Sequence, residues 1–309
     1  MRYMKIDQKN FAQLVNKAMQ AKNVSHMRSV IEKELLHYDI LFALEKGGLL
    51  NELTFQGGTS LRLCYGGNRF SEDLNFAGGK SFSSAMLADM KHCIEKYIGK
   101  RYGLEVTVKE PKDLKQDPKY SELNIDKWQI TVVTCPERKD LPKQKIKLEV
   151  ANVPAYTREP KPLQVNYDFL PDGYSDTLIL TESLDEVMAD KIISLPATTR
   201  YVRHRDIWDL AWLQQQGATL KMDFVKNKVS DYKLKHFNTM LENLIDRLPD
   251  IVSSQAFIAE MKRFIPTDVF DRTLAQDKFQ VYLQNTLAEL FKTVSNELLG
   301  NAINNEFRM

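Results

Sequence analysis

The spacing of apolar residues changes near Ser183, and this change limits the folds open to the chain more than any other feature. Before it, short runs over 53–56, 74–76, 104–108, 128–134 and 145–150 are bounded by polar or Gly/Pro-containing stretches and read as strands. They lie among helical patterns over about 25–46 and 85–102, with one or two helical turns over 60–65. After Ser183 the spacing is helical almost throughout, over 184–195, 204–216, 232–248, 254–264 and 278–299. A sheet-bearing first part followed by a helical second part predicts an α+β protein. Its N-terminal domain, over 1–175, carries a mixed sheet flanked by helices, and a mainly α-helical C-terminal domain follows over 176–309. The length of 309 residues also favours two cores over one. Residues 109–127 and 135–144 lack periodicity and read as loops. Pro154, Pro160, Pro162 and Pro171 mark a connection between domains near 155–180.

Composition excludes several classes. With 43% hydrophobic and 27% charged residues of both signs, the chain is an ordinary globular one. A net charge of +2 does not announce a nucleic-acid binder. Lys221, Lys226, Lys228, Lys233 and Lys235 form a modest basic cluster, read either as a solvated helix face or as a contact for an RNA backbone. Cys64, Cys93 and Cys135 are widely spaced, which suggests neither a disulfide framework nor a thiolate zinc site and fits a reducing compartment. No apolar stretch is long enough to span a bilayer, and the first thirty residues contain no apolar signal core. The expectation is a cytoplasmic protein with no membrane partner.

The densest chemistry lies in Phe55-Gln56-Gly57-Gly58-Thr59-Ser60-Leu61-Arg62-Leu63 and Arg69-Phe70-Ser71-Glu72-Asp73-Leu74-Asn75-Phe76. The order reads strand, glycine turn, short helix, strand. Gly57 and Gly58 allow close backbone approach to a ligand, and the N–H groups at the following helix start can cradle phosphate oxygens. Asp73 and Asn75 are two apart on a strand and share a face, where oxygen donors suit a hard cation such as Mg²⁺. Glu149, in the alternating run Ile146-Lys147-Leu148-Glu149-Val150, is the candidate third donor. Further along, Ser183 with Glu186 forms a capping box that starts a helix ending before Pro196. Lys191 lies at the centre of that helix's apolar stripe of Leu184, Val187, Met188, Ile192 and Leu195. An inward charge demands a partner, unless the lysine stem covers apolar surface and its head reaches water. Arg205 and Asp209 are one helical turn apart and can pair, and Trp208 and Trp212 argue that part of their helix is buried.

These segments resemble the signature of the AbiEii/AbiGii-type toxin nucleotidyltransferases of the DNA polymerase β-like superfamily. That signature is a Gly-Gly-Thr turn, then Arg-Phe-Ser-x-Asp-x-Asp-Phe, and later an Arg-Asp-x-x-Asp-Leu motif, matched here by Arg205-Asp206-Ile207-Trp208-Asp209-Leu210. The resemblance covers roughly residues 30 to 215. It implies an N-terminal nucleotidyltransferase domain that transfers a nucleoside monophosphate from a nucleoside triphosphate, with Mg²⁺, or Mn²⁺ in its place, as cofactor. It further implies that Asp73, Asn75 and Glu149 hold the metal and that Asp73, Lys191 and Asp209 are catalytic. Gly57, Gly58, Thr59, Ser60, Arg69, Ser71, Lys191, Arg205 and Asp206 are then the nucleotide-binding set. The partners implied are the triphosphate, the acceptor end of a tRNA and a cognate antitoxin, within a type IV-like toxin-antitoxin or abortive-infection system. Transfer onto a protein hydroxyl and a non-catalytic nucleotide-binding module are the competing functions. Asn75 stands where the family's second metal-binding aspartate is expected. An amide oxygen can coordinate a metal but brings no charge. A weakened enzyme, a silent binder and an introduced Asp-to-Asn change are all consistent with it.

Overall fold

The computed structural model describes residues 7–20, 23–113, 125–138 and 140–306. It divides into two compact units, Met1–Glu182 and Ser183–Met309. Seven strands and eleven α-helices occur among the described residues, an α+β architecture with all the strands in the first unit.

The first unit runs α1 (Phe11–Ala18), α2 (Arg28–Lys46), β1 (Thr54–Gln56), α3 (Gly57–Cys64), β2 (Leu74–Ala77), α4 (Met90–Tyr102), β3 (Val106–Lys109), β4 (Ile125–Val132), β5 (Gln144–Ala151), β6 (Glu159–Pro162) and β7 (Leu178–Thr181). The strands form one mixed sheet in the order β3-β4-β5-β2-β1-β7-β6. β2 runs parallel to β5 and antiparallel to β1, and β7 runs parallel to β1. Strand alternation gives the sheet two unlike faces. Val108, Trp128, Ile130, Val132, Ile146, Leu148 and Val150 are buried on one, while the residues that alternate with them are exposed or half-buried on the other, Ala151 at the end of β5 excepted. Phe55 and Phe76 are register partners and pack their rings 5.0 Å apart on the buried side, an offset pairing that adds about 1 kcal/mol to their area burial.

Three features differ from the sequence reading. The segment near 155–180, expected as a connection, contributes β6 and β7. Its Glu-Pro-Lys-Pro run hides a strand because proline cannot donate to a ladder, and β6 tolerates two prolines only as an edge strand. Residues 125–127, expected in a loop, begin β4; residues 114–124 and 139 of the expected loops lie outside the described residues. α2 is buried nearly all round instead of along one stripe, and it carries Glu32, Glu34, His37 and Asp39 inside, each with a partner.

The second unit runs α5 (Leu184–Ala197), α6 (His204–Gln215), α7 (Met222–Asp231), α8 (Phe237–Ser253), α9 (Gln255–Lys262), α10 (Thr267–Arg272) and α11 (Asp277–Glu306). Ser183 caps α5 by accepting from the Glu186 N–H. Pro196 lies inside the last turn of α5 and does not mark its end. α7 was not foreseen, and the helix expected from Tyr232 begins only at Phe237. The expected surface cluster of lysines loses one member. Lys228 is buried, with its ammonium 2.9 Å from Glu186 and 2.8 Å from Asp190, so it serves the packing of α5 on α7 and cannot meet RNA.

Candidate active site

In the first unit the two halves of the glycine motif lock together. Gly57 has φ +80, which glycine adopts without strain, and a Cβ there would lie 3.4 Å from the Asn75 amide. A Cβ on Gly58 would come within 2.2 Å of the Arg69 guanidinium, which is itself buried. The second glycine therefore makes room for the arginine of the second half. The Thr59 hydroxyl donates to the Asp73 carbonyl, and the Ser60 hydroxyl donates to the Gly57 carbonyl at 2.8 Å, with both side chains buried. These two hydroxyls therefore shape the turn. What α3 offers a phosphate is its first-turn N–H groups, which have no intrahelical acceptor. Ser71 is also buried, two residues before Asp73.

Helix α2 fixes the approach to Asp73 from the other side. Lys33 pairs with Glu72 at 2.6 Å, and His37 Nε2–H donates to the Glu72 carbonyl at 3.0 Å. Burial pushes the His37 pKa down to about 4, so its ring is neutral at physiological pH. The arginine of the Gly-Gly-Thr-Ser-Leu-Arg run is structural too: Arg62 forks onto the buried Glu34 carboxylate at 2.8 and 3.0 Å and ties α3 to α2.

The register then assembles the donors. Gln56, Asn75, Glu149 and Lys127 are successive partners across β1, β2, β5 and β4, and so share one face. Asp73 precedes β2 by one residue, and its Oδ1 lies 3.4 Å from the Lys147 backbone nitrogen. Asp73, Asn75 and Glu149 are all partly exposed. Among the described residues no group of three or more His, Cys, Asp and Glu side chains could hold a metal, so this trio is two carboxylates and an amide. Two observations fit it to a hard cation with ligands still to be supplied. Glu149 already attracts the Lys127 ammonium at 3.2 Å, and Gln56 Oε1, a buried oxygen in the same row, has no hydrogen-bond partner among the described residues.

In the second unit, α5 and α6 bring Lys191, Asp206 and Asp209 together. The Lys191 ammonium lies 2.5 Å from Asp206 and 2.9 Å from Asp209, and all three are buried. Two residues absent from the sequence reading of this cluster complete it: Ser194 donates to Asp206 at 2.9 Å, and Arg203 pairs with the same carboxylate. Ser194 is three residues after Lys191, a spacing that places both on one helix face and was the available signal. Burial alone would push the Asp206 carboxyl up, but the cations of Arg203 and Lys191 outweigh it and hold it well below the usual carboxylate range. Arg205 turns to α9, with its Nε 3.5 Å from Glu260 and its guanidinium over the Phe264 ring. Trp208 and Trp212 are buried.

Comparison with known proteins gives a family and structural neighbours. The family profile described as nucleotidyl transferase AbiEii toxin of the type IV toxin-antitoxin system matches residues 39–285. Among curated proteins no match is found. Among solved structures, MenT4, a nucleotidyltransferase toxin from Mycobacterium tuberculosis H37Rv, superposes with a TM-score of 0.57 at 18% identity, covering 93% of each chain. Two Helicobacter pylori proteins are more distant. One has a TM-score of 0.47 at 19% identity over 87% of this chain and 97% of its own. The other, JHP933, has a TM-score of 0.45 at 18% identity over 91% and 98%.

Proposed function

The chain belongs to the AbiEii family of nucleotidyltransferase toxins of type IV toxin-antitoxin systems, and from that premise we propose that it transfers a nucleoside monophosphate from a nucleoside triphosphate to the acceptor end of a tRNA. The observation that carries the reading is the register that sets Asn75 beside Glu149, with Asp73 two residues upstream, next to the free N–H groups that begin α3. Asp73, Asn75 and Glu149 would hold Mg²⁺, or Mn²⁺ in its place, which neutralises charge on the triphosphate oxygens when bound. The N–H groups of Gly57, Gly58 and Thr59 receive phosphate oxygens. Arg69 and Ser71 act by shaping that turn, and so do the hydroxyls of Thr59 and Ser60. In the transfer, the acceptor hydroxyl gives up its proton to solvent and its oxygen bonds to the α-phosphorus, the bond from that phosphorus to its bridging oxygen breaks, and pyrophosphate leaves with the electron pair.

Lys191 and Asp209 are retained as catalytic residues, with Asp206 and Arg205 as nucleotide-binding ones. In this proposal Lys191 acts by holding the Asp209 carboxylate in place. A cognate antitoxin and a cytoplasmic site of action follow from the family reading. A second reading, a nucleotide-binding module with weakened catalysis, is favoured by one observation, the uncharged Asn75 among the donors. Incubation with each labelled triphosphate, total tRNA and cell protein separates the possibilities. Label in tRNA is the result expected, label in protein would move the acceptor to a protein hydroxyl, and triphosphate binding without label transfer would establish the module.

A further inference from the structure

The sheet face that carries the donors continues into a basic surface. Along β5, Lys145 and Lys147 share the face of Glu149, about 7 Å apart. In the next row outward, Lys147 pairs in register with Gln129, and Gln129 with Lys109 at the edge strand, about 10 Å from Lys147. Lys109, Lys145 and Lys147 are exposed, and none of the three forms an ion pair among the described residues. Other lysines of the same unit are paired: Lys33 with Glu72, Lys143 with Glu105 and Lys161 with Glu159. The remaining partners in these rows, Thr107, Gln129 and Thr131, are neutral and polar. Within the paired rows of this face the one acid among the described residues is Glu149, with Asp73 beside it at the donor end, and Glu105, just before β3, is taken up by Lys143.

We propose that this β3-β4-β5 face is the docking surface for the phosphate backbone of the acceptor nucleic acid, whose end it leads to Asp73, Asn75 and Glu149. The inference rests on the reading of the acceptor as RNA and deepens it. The charge matches a polyanion. Its spread over three strands exceeds the reach of one triphosphate held at the donors, and an open face admits a long chain. The aromatic residue of these strands, Trp128, is buried on the opposite face. Among their described residues these strands therefore provide no exposed platform for base stacking, and binding should be steep in salt and tolerant of sequence.

The test compares the full chain with the Lys109→Gln/Lys145→Gln/Lys147→Gln variant, using labelled tRNA and a labelled homopolymeric RNA between about 50 and 200 mM salt. Each lost phosphate contact removes about 0.7–0.9 from the slope of log affinity against log salt. The expected result is a slope lower by roughly 2 and an affinity at low salt at least about tenfold weaker for both RNAs. Thermal stability and the stabilisation by added triphosphate should be unchanged. A folded variant that binds both RNAs with the parent's affinity and slope overturns the surface while leaving tRNA as acceptor. A parent that binds neither RNA and labels protein overturns both, and the same lysines would then be tested against the labelled protein. A variant that loses triphosphate stabilisation as well would show that these lysines serve the small substrate, which also overturns the proposal.

Discussion

A buried ammonium held by two carboxylates cannot be removed without stranding charge away from water, and Lys191 is in that position between Asp206 and Asp209. The sequence showed that this inward lysine needed an anion. It offered the nucleotide phosphates, and the structure supplies two aspartates from α6. Asp206 keeps Arg203 when Lys191 is lost, so the uncompensated charge falls on Asp209. Lys191→Met should therefore lower the unfolding free energy in urea by about 3–5 kcal/mol, and the Lys191→Met/Asp209→Leu double variant should recover much of it. A single variant as stable as the parent would mean that the lysine head is solvated. Gly58 makes a comparable point about backbone. Gly58→Ala places a methyl group against the buried Arg69 guanidinium, so the variant should lose about 1–3 kcal/mol and much of its transfer activity. If the glycine served only phosphate approach, activity would fall with stability intact.

At the scale of elements, α2 determines how the start of β2 is presented, through Lys33 and His37 on Glu72 and Glu34 on Arg62. Its buried titrating groups give it opposing pH signatures. His37 has its pKa pushed down to about 4 by burial, so the native state binds fewer protons than the unfolded chain between about pH 4 and 6.5, and stability rises with pH across that window. Asp39 has its pKa raised to about 6 by burial, which outweighs the lowering by Arg101 and the tyrosine hydroxyls. The native state then binds more protons than the unfolded chain between about pH 3.8 and 6, and stability falls as pH rises. Each effect is on the order of 3 kcal/mol, so the two nearly cancel. Urea unfolding at pH 4.5 and 6 should show stability increasing with pH in Asp39→Asn and decreasing in His37→Gln. Parallel pH dependence in the two variants would contradict these assignments. The helical spacing located α2 but understated its burial, because it counted only apolar residues. The polar ones are equally buried and are satisfied by partners far away in the chain, which periodicity cannot show.

Across the whole molecule, the strand-rich first part and helical second part were legible because hydrophobic spacing changes where the elements change. The glycine motif, β2 and the alternation of β5 were legible for the same local reason, whereas the register that sets Glu149 against Asn75 was not, because it pairs distant segments. β6 and β7 were not, because an edge strand containing two prolines and a four-residue strand are defined by their neighbours in the sheet. The burial of Lys228 and the capture of Lys191 by α6 also depend on packing between distant segments. In the proposed function, the face of Asp73, Asn75 and Glu149 is the metal-dependent transfer centre. The most direct measurement is label transfer from triphosphate against Mg²⁺ concentration for the parent, Asp73→Ala and Asn75→Asp. A folded Asp73→Ala protein should show no transfer. Asn75→Asp, which restores a charge with almost no change in size, should reach half-maximal transfer at lower Mg²⁺, or gain transfer if the parent has none. Robust transfer by Asp73→Ala, or an active parent whose Mg²⁺ requirement is unchanged in Asn75→Asp, would contradict that assignment.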